Sequence, residues 1–225
     1  MTGMKYLLIA CQMLKDELDD ILRGRPLQSH DLYETIYLQA DLHERPALLR
    51  QAVEKALAYA GDYEAVLLAY GYCGGALCGL RCQRKLVMFR YDDCISLLLR
   101  SNDKSKGCFY LTPAWLSSRR SFFTQAKYLT QKYGKEKAQS LLRQMVENYE
   151  RLCFIEQNEG QTQAHHEKLQ QLSRLLHLPI TTCHGSALAL EKLVAGNWVE
   201  EFLIFEPGQP LKYTIDQGRG VCCYE

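Results

Sequence analysis

The chain of 225 residues reads as an α/β protein: a single three-layer, Rossmann-like domain over residues 1–225, built on a mainly parallel sheet. Three observations predict this. Short apolar runs alternate with segments of helical period, the pattern of successive βα units. A composition of 47% hydrophobic and 24% charged residues is that of an ordinary globular protein, and the length suits one substantial core. Three apolar runs end at or close to a cysteine, at Cys11, Cys73 and Cys94, as expected where the carboxyl ends of parallel strands open onto one crevice.

Along the chain, strands are predicted at Lys5–Ala10, Leu32–Leu38, Ala65–Tyr70, Leu86–Arg90 and Phe109–Thr112. Between the first two, Leu14, Leu18, Ile21 and Leu22 recur at helical spacing. Leu48, Leu49, Ala52, Val53, Ala56 and Leu57 do the same between the second and third. Pro46 suits the first turn of that helix, where a missing N–H costs nothing. Residues 121–149 read as helix with an interruption near Gly134 and polar residues such as Gln125, Lys127 and Lys137 on the outer face. The last third predicts strands at Leu152–Glu156, Ile180–Cys183 and Phe202–Phe205, and helices at His165–Leu176 and Ala187–Val194. The polar stretch Glu156–Gln163 is an exposed loop too short to force a domain boundary.

Charge excludes one class of partner. Lys and Arg total 27 against 26 Asp and Glu, for a formal charge of +1, and the basic stretch Arg81–Lys85 is broken by other residue types, so no nucleic-acid footprint is expected. The run Tyr6–Cys11 is too short for a signal sequence and is followed at once by charged residues. No segment approaches the roughly 18–20 apolar residues of a membrane span. A cytoplasmic protein is therefore expected, in which ten cysteines act as buried small hydrophobes, metal ligands or reactive thiols rather than as a disulfide framework.

Cys11 is expected at the opening of the first helix, where the helix dipole favours a thiolate, with Glu17 six residues on as a candidate proton donor or acceptor. The run from Tyr70 to Leu80 places Cys73 among Gly71, Gly74, Gly75 and Gly79 directly after a strand. Glycines there permit positive φ and close approach to a ligand, so Gly71 and Gly74 are candidate cofactor contacts. The run lacks the Gly-Lys-Ser/Thr of a phosphate loop and the spacing of a dinucleotide fingerprint. Cys78 and Cys82, four residues apart, are alternative ligands or packing residues.

The segment Arg90-Tyr91-Asp92-Asp93-Cys94 sets two carboxylates beside the third thiol. One of Asp92 and Asp93 is expected to cap the following helix, while either is a candidate proton carrier. Arg90 is a candidate for holding a carboxylate or a cofactor group. His43 is the candidate fourth ligand, on the premise that it faces the same sheet edge. His165 and His166 read as solvent-facing, and Cys183-His184-Gly185 as a further possible contribution from the C-terminal half. Cys108 and Cys153 read as core, and Cys222 and Cys223 as tail residues.

As a set these motifs resemble the DUF1638 family of bacterial and archaeal proteins. The resemblance rests on Cys11 with Glu17, His43 followed by Pro46 and Leu49, Tyr70-Gly71-Tyr72-Cys73-Gly74, and Arg90 through Cys94 to Ile95. It extends to Tyr110 through Trp115 and to the closing Phe202 through Gly208, where Glu206 stands in place of an expected less polar residue. It implies a setting in anaerobic or one-carbon metabolism, near corrinoid methyltransferase systems. Two functional readings stay open. Cys11, Cys73 and Cys94 hold either an iron–sulfur cluster with one open iron or, with His43, a zinc ion, and the protein transforms a small molecule in the crevice. Alternatively, the same thiols capture a metal or corrinoid for delivery to methyltransferase components without turnover.

Overall fold

The computed structural model describes residues 3–25 and 30–212. In chain order the elements are β1 (Lys5–Cys11), α1 (Lys15–Arg23), β2 (Leu32–Leu38), α2 (Pro46–Leu57), β3 (Ala65–Ala69), β4 (Lys85–Phe89), α3 (Cys94–Leu99) and β5 (Cys108–Leu111). There follow α4 (Pro113–Ser117), α5 (Phe122–Tyr133), α6 (Lys135–Met145), β6 (Arg151–Glu156), α7 (Gln161–Ala164), α8 (His166–Leu176), β7 (Ile180–His184), α9 (Leu188–Val194) and β8 (Phe202–Phe205). The fold is α/β with mainly parallel strands, as expected. The strands do not form one sheet, however. The chain divides into two compact units, Met1–Leu97 with Ala187–Glu225, and Leu98–Ser186, and each has its own sheet.

In the first unit the strand order is β2-β1-β3-β4-β8. β1 to β4 run parallel and β8 closes the edge antiparallel to β4. Leu7, Leu8 and Ile9 of β1 are fully buried, and burial on both faces is what an inner parallel strand requires; each contributes roughly 2 kcal/mol of transfer free energy. Because the chain leaves β1 for β2 on one side and returns to β3 on the other, right-handed crossovers put α1 and α2 on opposite faces. Leu49, Val53 and Ala56 of α2 pack with Leu7, Ile9, Val66 and Leu68. α9 packs against β3 and against α1.

The second unit holds the all-parallel sheet β5-β6-β7. Its apolar face, Phe109, Leu111, Leu152, Phe154 and Ile180, packs against residues of α5, α6 and α8. Phe109 anchors that face between the rings of Trp115, Phe122 and Tyr149 at centroid distances of 5.1–5.4 Å. The helical segment breaks at Gly134, whose φ of +81° ends α5. Among the described residues no helix is long and apolar enough to cross a membrane.

Candidate functional site

Register brings the thiols together. Ala10 pairs with Ala69, so Cys11 and Tyr70 leave β1 and β3 side by side, on the face that α2 covers. The order β2-β1-β3 makes this gap the topological switch point of the sheet, where crevices form in open α/β folds. Cys73 follows β3 in a tight turn with φ of +44°, continued by Gly74 at +66° and Gly75 at +84°. Cys94 opens α3 beyond the neighbouring β4.

Gly71 lets the second and third thiols approach. A Cβ at this position would lie 2.4 Å from the Tyr91 carbonyl oxygen and 2.8 Å from the Asp93 nitrogen. With no side chain in the way, the two loops zip together: Tyr72 N–H donates to Tyr91 C=O, and Cys73 N–H to Asp92 C=O, both at 2.7 Å. Gly71 is therefore a packing glycine rather than a cofactor contact. Gly74 is required by its positive φ, and nothing stands within 4 Å of where its side chain would point.

The hydroxyl of Tyr70 lies within electrostatic reach of all three thiols. That residue is 3% exposed, and its hydroxyl is buried without a hydrogen-bond partner of good geometry. Burial raises its pKa, and the charges of Cys11, Cys73 and Cys94 raise it further, so it stays protonated. Burial also raises the Cys11 thiol, against weaker opposition from the Met13 N–H and the Tyr70 hydroxyl. This reverses the expectation of a dipole-activated thiolate. A 3₁₀ turn, Gln12–Leu14, separates Cys11 from α1, so desolvation outweighs the helix dipole. Cys94 is raised well above the usual thiol range by burial, then by Cys11, Asp93 and Cys73. Burial thus disfavours the thiolate at Cys11 and Cys94, and at Cys94 the neighbouring Cys11 and Cys73 add to it.

The other predicted residues divide. Asp93 caps α3, its Oδ1 accepting from Ser96 N–H at 2.8 Å, and it stands beside Cys94. Asp92 gives its carbonyl to the Cys73 turn and its charge to Tyr72. Arg90 donates from Nε to the Phe202 carbonyl at 2.9 Å, so it fastens β8 and also faces Tyr72. Glu17 lies on α1 with its Oε2 buried. His43 is exposed, in the 3₁₀ turn Ala40–Glu44, with Nδ1 against the Ala40 carbonyl. It does not join the thiols. Cys78 is disulfide-bonded, and Cys82 is buried, accepting from Arg84 N–H, so neither is an alternative ligand. Cys222 and Cys223 lie outside the described residues. The sequence predicts no role for Tyr70; its signal is an aromatic hydroxyl at a strand end, three residues before a cysteine. Among the described residues, no three His, Cys, Asp or Glu side chains are set as they stand to hold one metal ion.

Residues 37–194 match the family model described as a protein of unknown function, DUF1638. The chain belongs to the DUF1638 family. The matched span contains Cys73 and Cys94 and ends before β8. Neither the curated proteins nor the solved structures provide a match.

Proposed function

We propose that the first unit of this DUF1638 protein binds an iron–sulfur cluster through Cys11, Cys73 and Cys94, leaving one iron open to a small-molecule substrate in the crevice. The observation that carries the reading is the placing of Cys11, Cys73 and Cys94 about one buried neutral hydroxyl, Tyr70, at the switch point, where Cys11 and Cys73 both oppose ionisation of Cys94. Cationic iron would favour the thiolate form that burial disfavours at Cys11 and Cys94, and an iron without a protein ligand would supply a Lewis acid. One feature favours a cluster over zinc: His43, needed for a Cys₃His zinc set, is turned to its own turn's carbonyl. Tyr70 supplies an O–H donor to whatever occupies the crevice. Asp93 is committed to capping α3, which leaves Glu17 and Asp92 as the carboxylates for proton transfer.

The test is anaerobic purification followed by iron and acid-labile sulfide analysis and a visible absorption spectrum. Iron and sulfide in roughly equal amounts, about four of each per chain, with a broad charge-transfer band, are expected. Cys73→Ser should abolish them, whereas Cys153→Ser should leave them in place. Zinc at one per chain with no visible band would replace the cluster reading. Equal iron loss in both variants, each shown to be folded, would move the site elsewhere.

A further inference from the structure

The second unit carries another thiol group, on the sheet face opposite its apolar core. Tyr110 pairs with Cys153, and Cys153 with Thr181. Since alternate residues share a face, Cys108, Cys153 and Cys183 stand on one side of three adjacent strands. The Sγ atoms of Cys153 and Cys183 are 3.1 Å apart in a hydrogen-bonded pair. Cys108 reaches the same sulfur from β5, and Arg151 lies beside both. Arg151 also stands 3.6 Å from the exposed carboxylate of Glu150.

We propose that Cys153 and Cys183 form a redox-active dithiol, in which Cys153 attacks a hydroperoxide and Cys183 resolves the product to a disulfide. In the first step the Cys153 thiolate bonds to one oxygen of the hydroperoxide. The O–O bond breaks, and the alkoxide or hydroxide leaves and takes up a proton, giving a sulfenic acid. In the second step Cys183 sulfur attacks the sulfenic sulfur, the S–O bond breaks, and water leaves with the Cys183 proton. Two thiols are oxidised by two electrons in all, and the hydroperoxide is reduced to an alcohol, or to water if it is hydrogen peroxide itself.

Three features favour this chemistry at this pair. Cys153 is held below the ordinary thiol range, first by the hydrogen bond with Cys183, then against its burial by Thr181, Cys108 and the Arg151 charge. The opposite shift falls on Cys183, which keeps its proton because Cys153 carries the charge. The Thr181 hydroxyl is shared with the Leu152 carbonyl at 3.2 Å, so the second sulfur is the principal partner of the first. The sulfurs must also close from 3.1 Å to a bond of about 2.05 Å. They are diagonal neighbours, since Cys183 pairs with Ile155, and closure needs a strand to shift. Among the described residues β7 lies at the edge of its sheet and is the strand able to do so.

The experiment treats the reduced full-length chain with one molar equivalent of hydrogen peroxide, then alkylates and maps it by mass spectrometry under non-reducing conditions. Cys82, 4% exposed against 5% for Cys153, is an internal control of similar burial. The expected result is a Cys153–Cys183 disulfide that dithiothreitol reverses, formed about 10-fold faster than Cys82 oxidises, the margin a thiolate gains over a thiol near neutral pH. In Cys183→Ser, a dimedone-trapped sulfenic acid should collect on Cys153 instead. Oxidation of Cys153 no faster than Cys82, sulfinic acid with no disulfide in the wild-type chain, or a bond from Cys153 to Cys108 would each overturn the proposal. The wild-type measurement alone decides the matter if a variant fails to fold.

Discussion

The two thiol groups contain the same residue type three times over, yet their surroundings push it in opposite directions. At the switch point, Cys11 and Cys94 stand at element ends among other thiols, and burial raises both. On the small sheet, Cys153 sits in the body of a strand, where it shares hydrogen bonds with neighbouring thiols and Arg151 adds positive charge, and its pKa falls. The number of cysteines does not set the chemistry. What matters is whether the neighbours of a sulfur can stabilise its charge, or must share a buried space with it while carrying the same charge themselves.

The largest test of this contrast concerns how each site is assembled. Gly71→Ala forces a methyl against the backbone of the 91–93 loop, which cannot swing aside. It should cost about 3 kcal/mol, the upper range for overpacking, and separate Cys73 from Cys94. Gly185→Ala makes an equally close contact, 2.4 Å, but with the Ile155 Cγ2 methyl. A side chain can turn, so about 1 kcal/mol is expected. Urea denaturation of both variants checks the difference, and equal losses would mean that the 71–73 and 91–93 loops are not rigidly zipped.

A second test uses pH. Cys11 and Cys94 have folded pKa values above their unfolded ones. The native state therefore holds their protons more tightly, a stabilisation complete below the ordinary thiol value of about 8.5 and lost as pH rises through the folded values. The lowered Cys153 does the reverse: its contribution is present above the ordinary thiol value and is lost as pH falls through its folded pKa. The metal-free protein should accordingly lose stability on the alkaline side of pH 8.5. Cys11→Ala should flatten that limb of a stability-against-pH curve and Cys153→Ala should not. The smallest effect is expected from His43→Ala. An exposed side chain held only by its own turn should change stability by no more than about 0.5 kcal/mol and leave metal content unaltered. Metal loss in this variant would restore the imidazole to the site.

Much of this was legible because strands of parallel sheets announce themselves locally. Among the described residues the eight strands fall within a residue or two of the expected runs, and the ends of β1, β3 and β4 carry the thiols with them. What was hidden depends on register and pairing. Nothing between Leu99 and Cys108 marks that β5 begins a separate sheet, because that connection is as short as those within a domain. His43 was misplaced because a 3₁₀ turn intervenes between β2 and α2 and carries it into solvent. Cys153 and Cys183 read as unrelated, since only the pairing of Ile155 with Cys183 makes them diagonal neighbours.

The left-handed backbone of Cys73 has a cost of its own. A side chain with a Cβ is disfavoured at positive φ by roughly 1 kcal/mol or more relative to glycine, which adopts that region freely. At this position the best residue for folding and the best residue for a thiol-dependent site are different amino acids. Cys73→Gly should therefore unfold at a higher denaturant concentration than the metal-free wild-type chain while binding no metal, a variant improved as a polymer and emptied as a site.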